Sequence, residues 1–239
     1  MKFLADAFNR RTNLVFFSVL LILMPLKASA FWLLGFSSAD TLPSGGFGAI
    51  AGTGGQLSRV GTPAKDSSTA FIPHAGFRIG VSDDVDLGYR LVQVTLPFSS
   101  VGSTLGGEID AKYRLTAPSE ATQFAIIGGL AYANLDISGQ SKEAWGPGID
   151  LIGSRVLTDK YTIFSELRYV ATNIPTAQGG AGANYFTAGG IGAGVKIKLT
   201  QQTSLVPEIG LFHINGEMLG MPANGYAVQV GAVLSMRIW

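Results

Sequence analysis

Two histidines, His74 and His213, are the side chains of this 239-residue sequence that titrate near neutral pH unaided. Neither sits beside a nucleophile in a recognisable pattern. His213 keeps the phase of its apolar neighbours, which fits an interface better than catalysis. Asp83, Asp84 and Asp86 lie close enough for paired-carboxylate chemistry, but the surrounding SDD run reads as a turn and the aspartates as turn formers. G-x-S-x-G, P-loop and paired-histidine patterns are absent from the sequence. With no cysteine there is no thiol nucleophile, zinc–cysteine site, disulfide framework or lipoprotein anchor. No catalytic group, cofactor or metal is expected; a membrane-embedded lipid hydrolase or protease is the minority alternative.

The remaining chemistry is carried by charges of both signs: Arg78, Arg90, Glu108, Asp110, Lys112, Arg114, Asp150, Glu166, Arg168, Lys196, Lys198, Glu208 and Arg237. Each alternates with apolar neighbours. In LGGEIDAKYRLT (105–116), Leu105, Ile109, Ala111, Tyr113 and Leu115 face one way while Glu108, Asp110, Lys112 and Arg114 face the other. A strand separates the two sets; a helix would scatter the charges around its axis. The same period of two sets Ile163, Leu167 and Tyr169 against Phe164, Glu166 and Arg168. It also sets Val228, Val230 and Leu234 against Gln229, Gly231 and Arg237.

Turn signals divide the chain into ten strands: 45–56, 70–81, 85–97, 104–116, 122–136, 147–157, 161–172, 185–199, 203–215 and 225–238. The first and sixth are the least regular, and eight is the alternative count. Short connections alternate with long ones at 57–69, 98–103, 137–146, 173–184 and 216–224, as in an up-and-down barrel with two unlike ends.

Composition then asks which solvent the apolar faces meet. Apolar residues make up 47% and charged residues 14%, against about 25% charged in an ordinary soluble domain. After residue 30 no run of eighteen apolar residues occurs. The hydrophobicity is therefore spread over strands. A net charge of +1 without a like-charge block argues against a nucleic-acid surface. The first thirty residues read as a secretory signal: Lys2, Arg10 and Arg11, an apolar run from Leu14 to Leu26, and Ala28-Ser29-Ala30 for cleavage after Ala30. Its loss takes the charge from +1 to −2. Aromatics gather at both strand ends, with Tyr113, Phe124 and Tyr161 by short turns and Tyr132, Tyr169 and Tyr226 by long loops. Such girdles mark two lipid–water interfaces.

With strand number, unlike ends, girdles and the final alternating strand AVQVGAVLSMRIW in view, residues 44–239 resemble the small outer-membrane β-barrels of Gram-negative bacteria. The resemblance implies an all-β, transmembrane up-and-down antiparallel barrel, short periplasmic turns, outer-membrane lipid as surroundings, and the barrel-assembly machinery as partner. It leaves any extracellular ligand unknown. Trp239 departs from the family pattern, being out of phase with Ile238, Met236 and Leu234. A soluble exported β-barrel is the alternative that alternation alone leaves open.

In the membrane reading the charges line the lumen. A mutually satisfied network filling a narrow barrel is preferred to a pore lining, because ten strands fall well below the sixteen of an open porin. The preferred function is structural or surface-binding; a small passive porin-like channel for polar solutes is the alternative. Gly190, Gly192 and Gly194 strip bulk from one inner wall, with Phe164 and Phe212 facing it. This is aromatic covering of bare glycine or, less favoured, a small hydrophobic pocket. Residues 31–43 (FWLLGFSSADTLP) form a periplasmic or interfacial segment that lies along the membrane or tucks under the barrel.

Overall fold

The computed structural model describes residues 35–60, 66–94, 104–137, 140–174, 184–218, 221–222 and 224–239. The signal segment, with its cleavage site at Ala28 and Ala30, lies outside these residues.

Ten strands form the wall: β1 (Phe47–Val60), β2 (Asp66–Gly80), β3 (Val85–Val94), β4 (Thr104–Arg114), β5 (Thr122–Ile137), β6 (Gln140–Val156), β7 (Tyr161–Ile174), β8 (Asn184–Lys198), β9 (Thr203–Met218) and β10 (Gly225–Arg237). A two-residue pairing of Met221–Pro222 with the end of β9 completes the sheet. Each strand pairs antiparallel with its neighbour in sequence, and β10 closes on β1 from Gly48↔Arg237 to Val60↔Gly225. Closure removes the free edges that an open sheet would leave unpaired.

Alternation fixes the facing of the wall. Leu105, Ile109, Tyr113, Leu167, Ile191, Leu211 and Leu234 are exposed on the exterior, whereas Glu108, Asp110, Lys112, Glu166, Arg168 and Glu208 are buried inside. An apolar band around the whole circumference far exceeds the few hundred Å² that a soluble monomer exposes in one patch.

Several strands outrun the lengths read from the sequence, mainly at the loop end. The expected long connection 137–146 is mostly strand: β5 runs to Ile137 and β6 starts at Gln140 rather than at 147. Its residues QSKEAWGPG lack clean apolar alternation, which is why the sequence does not signal this part of the strand. Trp239 finds its place outside the barrel, stacked on Phe47 at 4.9 Å between ring centroids. Phe47 stacks on Phe77, and Phe77 tilts against Tyr89, forming an exterior aromatic ladder.

Candidate functional site

The lumen is filled by the chain itself. Residues 35–42 lie inside the barrel, and Pro43–Gly46 turn at its short-turn end, where Gly45 donates to the Gly80 carbonyl at 2.8 Å. Part of the expected interfacial segment 31–43 is thus a lumenal strap; residues 31–34 fall outside the described set. Its course follows from the wall. Phe36 lies in an apolar patch of Ile72, Val92 and Val233. Its ring tip covers Gly54 and Gly231, where a Cβ on Gly231 would stand 2.7 Å from Phe36 Cζ. Ala39 joins a second apolar patch that includes Ile127, Ile152, Phe164 and Val206. Phe36 takes a left-handed backbone conformation (φ 63°), costly for a bulky residue and held here by its surroundings.

Polar wall groups grip the strap along its length. The Lys112 ammonium donates to Ser37 Oγ (2.9 Å) and to the carbonyls of Ser38 (3.2 Å) and Asp40 (2.6 Å). Lys196 donates to Asp40 Oδ2 at 2.6 Å, and Ser38 Oγ donates to the other Asp40 oxygen. The Phe36 N–H donates to Glu208, and the Leu42 N–H to Asp86 at 3.1 Å. Burial alone would raise the Asp40 carboxyl, but Lys196 and Lys112 reverse this and hold it well below the usual carboxylate range.

The predicted charges divide into two clusters and a rim. In the first, Arg78 reaches Asp86 (2.6 Å) and Asp110 (2.5 Å), while Arg114 pairs with Asp84 at 2.8 Å. Arg90 and Glu108 are register partners on β3 and β4, both buried. In the second, Arg168 donates to Glu166, to Glu208 at 2.9 Å and to Gln229 at 3.1 Å. Its guanidinium also lies 5.1 Å from the Phe212 ring centroid. Asp150 is the register partner of Arg168; it is fully buried with neither carboxylate oxygen hydrogen-bonded among the described residues. Lys198 and Arg237 are exposed at the short-turn mouth, outside both clusters.

Phe164 and Phe212 occupy the space that glycine leaves. A Cβ on Gly194 would collide with Phe164, and one on Gly190 with Phe212. Tyr113, Phe124, Tyr161, Tyr169 and Tyr226 are exposed on the exterior, and Tyr132 shares their facing and is half-buried. His213 is also exterior, with its ring edge-on to Tyr226 at 5.1 Å. His74 is buried in the lumen, its ring 5.5 Å from that of Phe36.

One assignment needs correction. Asp86 is not a turn former: it is 1% exposed and bridges Arg78, Lys112 and the strap. The alternation VDLGYRL already placed it on the inner face with Arg90. Phe36, Ser37, Ser38 and Asp40 were missed because the strap has no periodicity. Ser154, which accepts from the Ala39 N–H at 3.3 Å, and Gln229 were missed because they carry no charge. Among the described residues no cluster of His, Cys, Asp or Glu has the makings of a metal site.

A closed ten-stranded up-and-down barrel, apolar outside and charged within, has the architecture of the outer-membrane β-barrels. Comparison with solved structures bears on the same point. An outer-membrane channel from Pseudomonas putida F1 overlays with a TM-score of 0.51 at 10% identity, covering 83% of this chain and 98% of that one. The outer-membrane protease OmpT from Escherichia coli gives 0.48 at 11% identity, covering 84% and 100%. Neisserial surface protein A gives 0.42 at 12% identity, covering 80% and 97%. What the overlay above 0.5 establishes is the fold. No family model matches the sequence, and no curated protein matches it.

Proposed function

We propose that this protein is an exported outer-membrane barrel whose lumen is closed by its own amino-terminal strap, serving a structural or surface-binding role. The observation that carries the reading is the seating of residues 35–42 inside the wall. They are gripped by Lys112, Lys196, Glu208 and Asp86 on strands β4, β8, β9 and β3. An open pore needs water along its axis, and here backbone, Phe36 and paired charges take that space. The apolar exterior and the aromatic girdles support lipid as the surrounding medium.

The second reading is a small channel for polar solutes, opened when the strap leaves. It is favoured by a cavity of about 360 Å³ beside the strap, lined by wall residues from Gly48 and Ile50 on β1 round to Lys198, Ser204 and Arg237 on β8, β9 and β10. Residues 31–239 refolded into planar bilayers are expected to show almost no conductance, and deletion of residues 31–42 to produce discrete steps. Steady, charge-selective steps from the full mature chain would overturn the closed reading. Location is tested by fractionation and by faster gel migration before boiling than after, as a closed barrel resists detergent. Recovery as a soluble periplasmic protein would overturn it.

A further inference from the structure

We propose that the cavity at the short-turn end binds a small multivalent oxyanion, held between Lys198 and Arg237. At about 360 Å³ it falls within the ~300–1,000 Å³ range of small-molecule pockets. Its mouth is formed by the turns at Thr158–Lys160 and Gln201–Gln202, its inner limit by the strap.

The wall is arranged for an anion by register. Lys198 pairs with Ser204 on β9, and Ser204 with Ser235 on β10. Arg237 lies two residues beyond Ser235 on the same inward face, and Lys196 two residues before Lys198. Two hydroxyls are thus set between cations along one side of a concavity. The cavity's carboxylates are committed or peripheral. Asp86 is bonded to Arg78 and Asp40 to Lys196, while Asp159 sits on the exposed turn beside Lys160. Among the described residues Lys198 and Arg237 have no ion-pair partner.

A guanidinium fork and a mobile ammonium, flanked by hydroxyl donors, suit a phosphate- or carboxylate-bearing ligand. Because the cavity opens through the lumen mouth and not onto the apolar exterior, a soluble anion is the occupant, not a lipid headgroup. The assignment is independent of whether the lumen conducts.

The test is calorimetric titration of inorganic pyrophosphate into residues 31–239 refolded in zwitterionic detergent, at ionic strength fixed with sodium chloride. Saturable binding is expected. It should weaken about a hundredfold in the double variant Lys198→Gln/Arg237→Gln, since each charge-assisted contact contributes about tenfold. Arg155→Gln, which removes an exposed cation from the outer face, should leave binding unchanged. Lys198→Arg/Arg237→Lys, which keeps both charges, should retain it. Unboiled gel mobility reports that each variant is folded. No saturable binding, or equal binding in the double variant and Arg155→Gln, overturns the proposal. Channel steps in a bilayer would overturn the closed lumen while leaving this result standing.

Discussion

Lys112→Met is the substitution that most directly tests whether the strap is held by the contacts described. The ammonium is 3% exposed, and its three strap contacts reach Ser37 Oγ, the Ser38 carbonyl and the Asp40 carbonyl. It lies 3.8 Å from the Asp86 carboxylate, a weaker contact than any of the three. A hydrogen bond from a charged donor contributes about 1.5–3 kcal/mol net; with the Ser37 hydroxyl replaced by a thiol probe, the two carbonyl contacts together give ~4 kcal/mol toward seating the strap. Relaxation of the strap within its seat once Lys112 is gone takes part of this back. Half of it, ~2 kcal/mol, still shifts the seated-to-displaced ratio about thirtyfold. Methionine fills most of the volume and removes the cost of a buried ammonium, so the barrel wall should stay folded.

The assay is thiol labelling of Ser37→Cys by a small membrane-impermeant reagent in refolded protein, in a sequence that has no other cysteine. Labelling should be slow with Lys112 in place and about thirtyfold faster with Lys112→Met, with conductance rising in parallel. If the two backgrounds label at the same slow rate and neither conducts, the strap is not held by Lys112 and the reasoning fails.

Three further outcomes follow from the same geometry. Ala111→Arg places a charge on the outward face of β4, where a bilayer-midplane position costs ~2–4 kcal/mol; refolding in lipid with wild-type stability would mean the exterior does not meet lipid. Glu166→Ala removes one carboxylate from Arg168, which keeps Glu208 and Gln229. The loss should therefore fall at or below the low end of the ~3–5 kcal/mol for breaking a buried pair, read by urea unfolding, and a larger loss would show that the remaining partners do not compensate. Because the folded Asp40 carboxyl is held below its unfolded value, its contribution is fully present above the ordinary carboxylate range and is lost as pH falls through the lowered value. Ser37→Cys labelling, divided at each pH by the rate for free cysteine to remove the titration of the thiol itself, should be flat from pH 5 to 8, and Asp40→Asn should remove any acid-dependent rise below that; a rise in this ratio between pH 7 and 5 would contradict the pairing with Lys196.

The wall was legible because each strand carries its own two-sided pattern. Glu108 to Arg114 state their facing in four alternations, and the pairing partner adds nothing that the strand lacks. β5 shows the limit. Ala125, Ile127, Ala131 and Ala133 are inside and apolar, like the residues outside, so AIIGGLAYA signals a strand without saying which face is which. The inner patch it forms exists to receive Ala39 and Phe164, a long-range match that no local pattern encodes. The strap was opaque for the same reason. FSSAD has no period, and its position is dictated by Lys112, Lys196 and Glu208, far along the chain. Asp86 shows the reverse error, where turn chemistry at Asp83 and Asp84 was extended two residues further, into a strand that begins at Val85.

The inner glycines divide this lumen into a side filled by the wall and a side filled by the strap. Along β8 and β9, the bulk missing at Gly190, Gly194 and Gly210 is supplied by Phe164 and Phe212. Those rings belong to the wall, so that filling is permanent while the barrel is closed. Along β1 and β10, the bulk missing at Gly54 and Gly231 is supplied by Phe36, which belongs to the strap. Withdrawing the strap bares the second surface and leaves the first covered. The charge clusters reinforce the asymmetry, because Arg78 with Asp86 and Asp110, and Arg168 with Glu166 and Glu208, pair among wall residues alone and do not depend on the strap. In the channel reading, a passage opened by withdrawal of the strap would therefore run beside β1 and β10, past His74, with its width set by how far Phe36 moved.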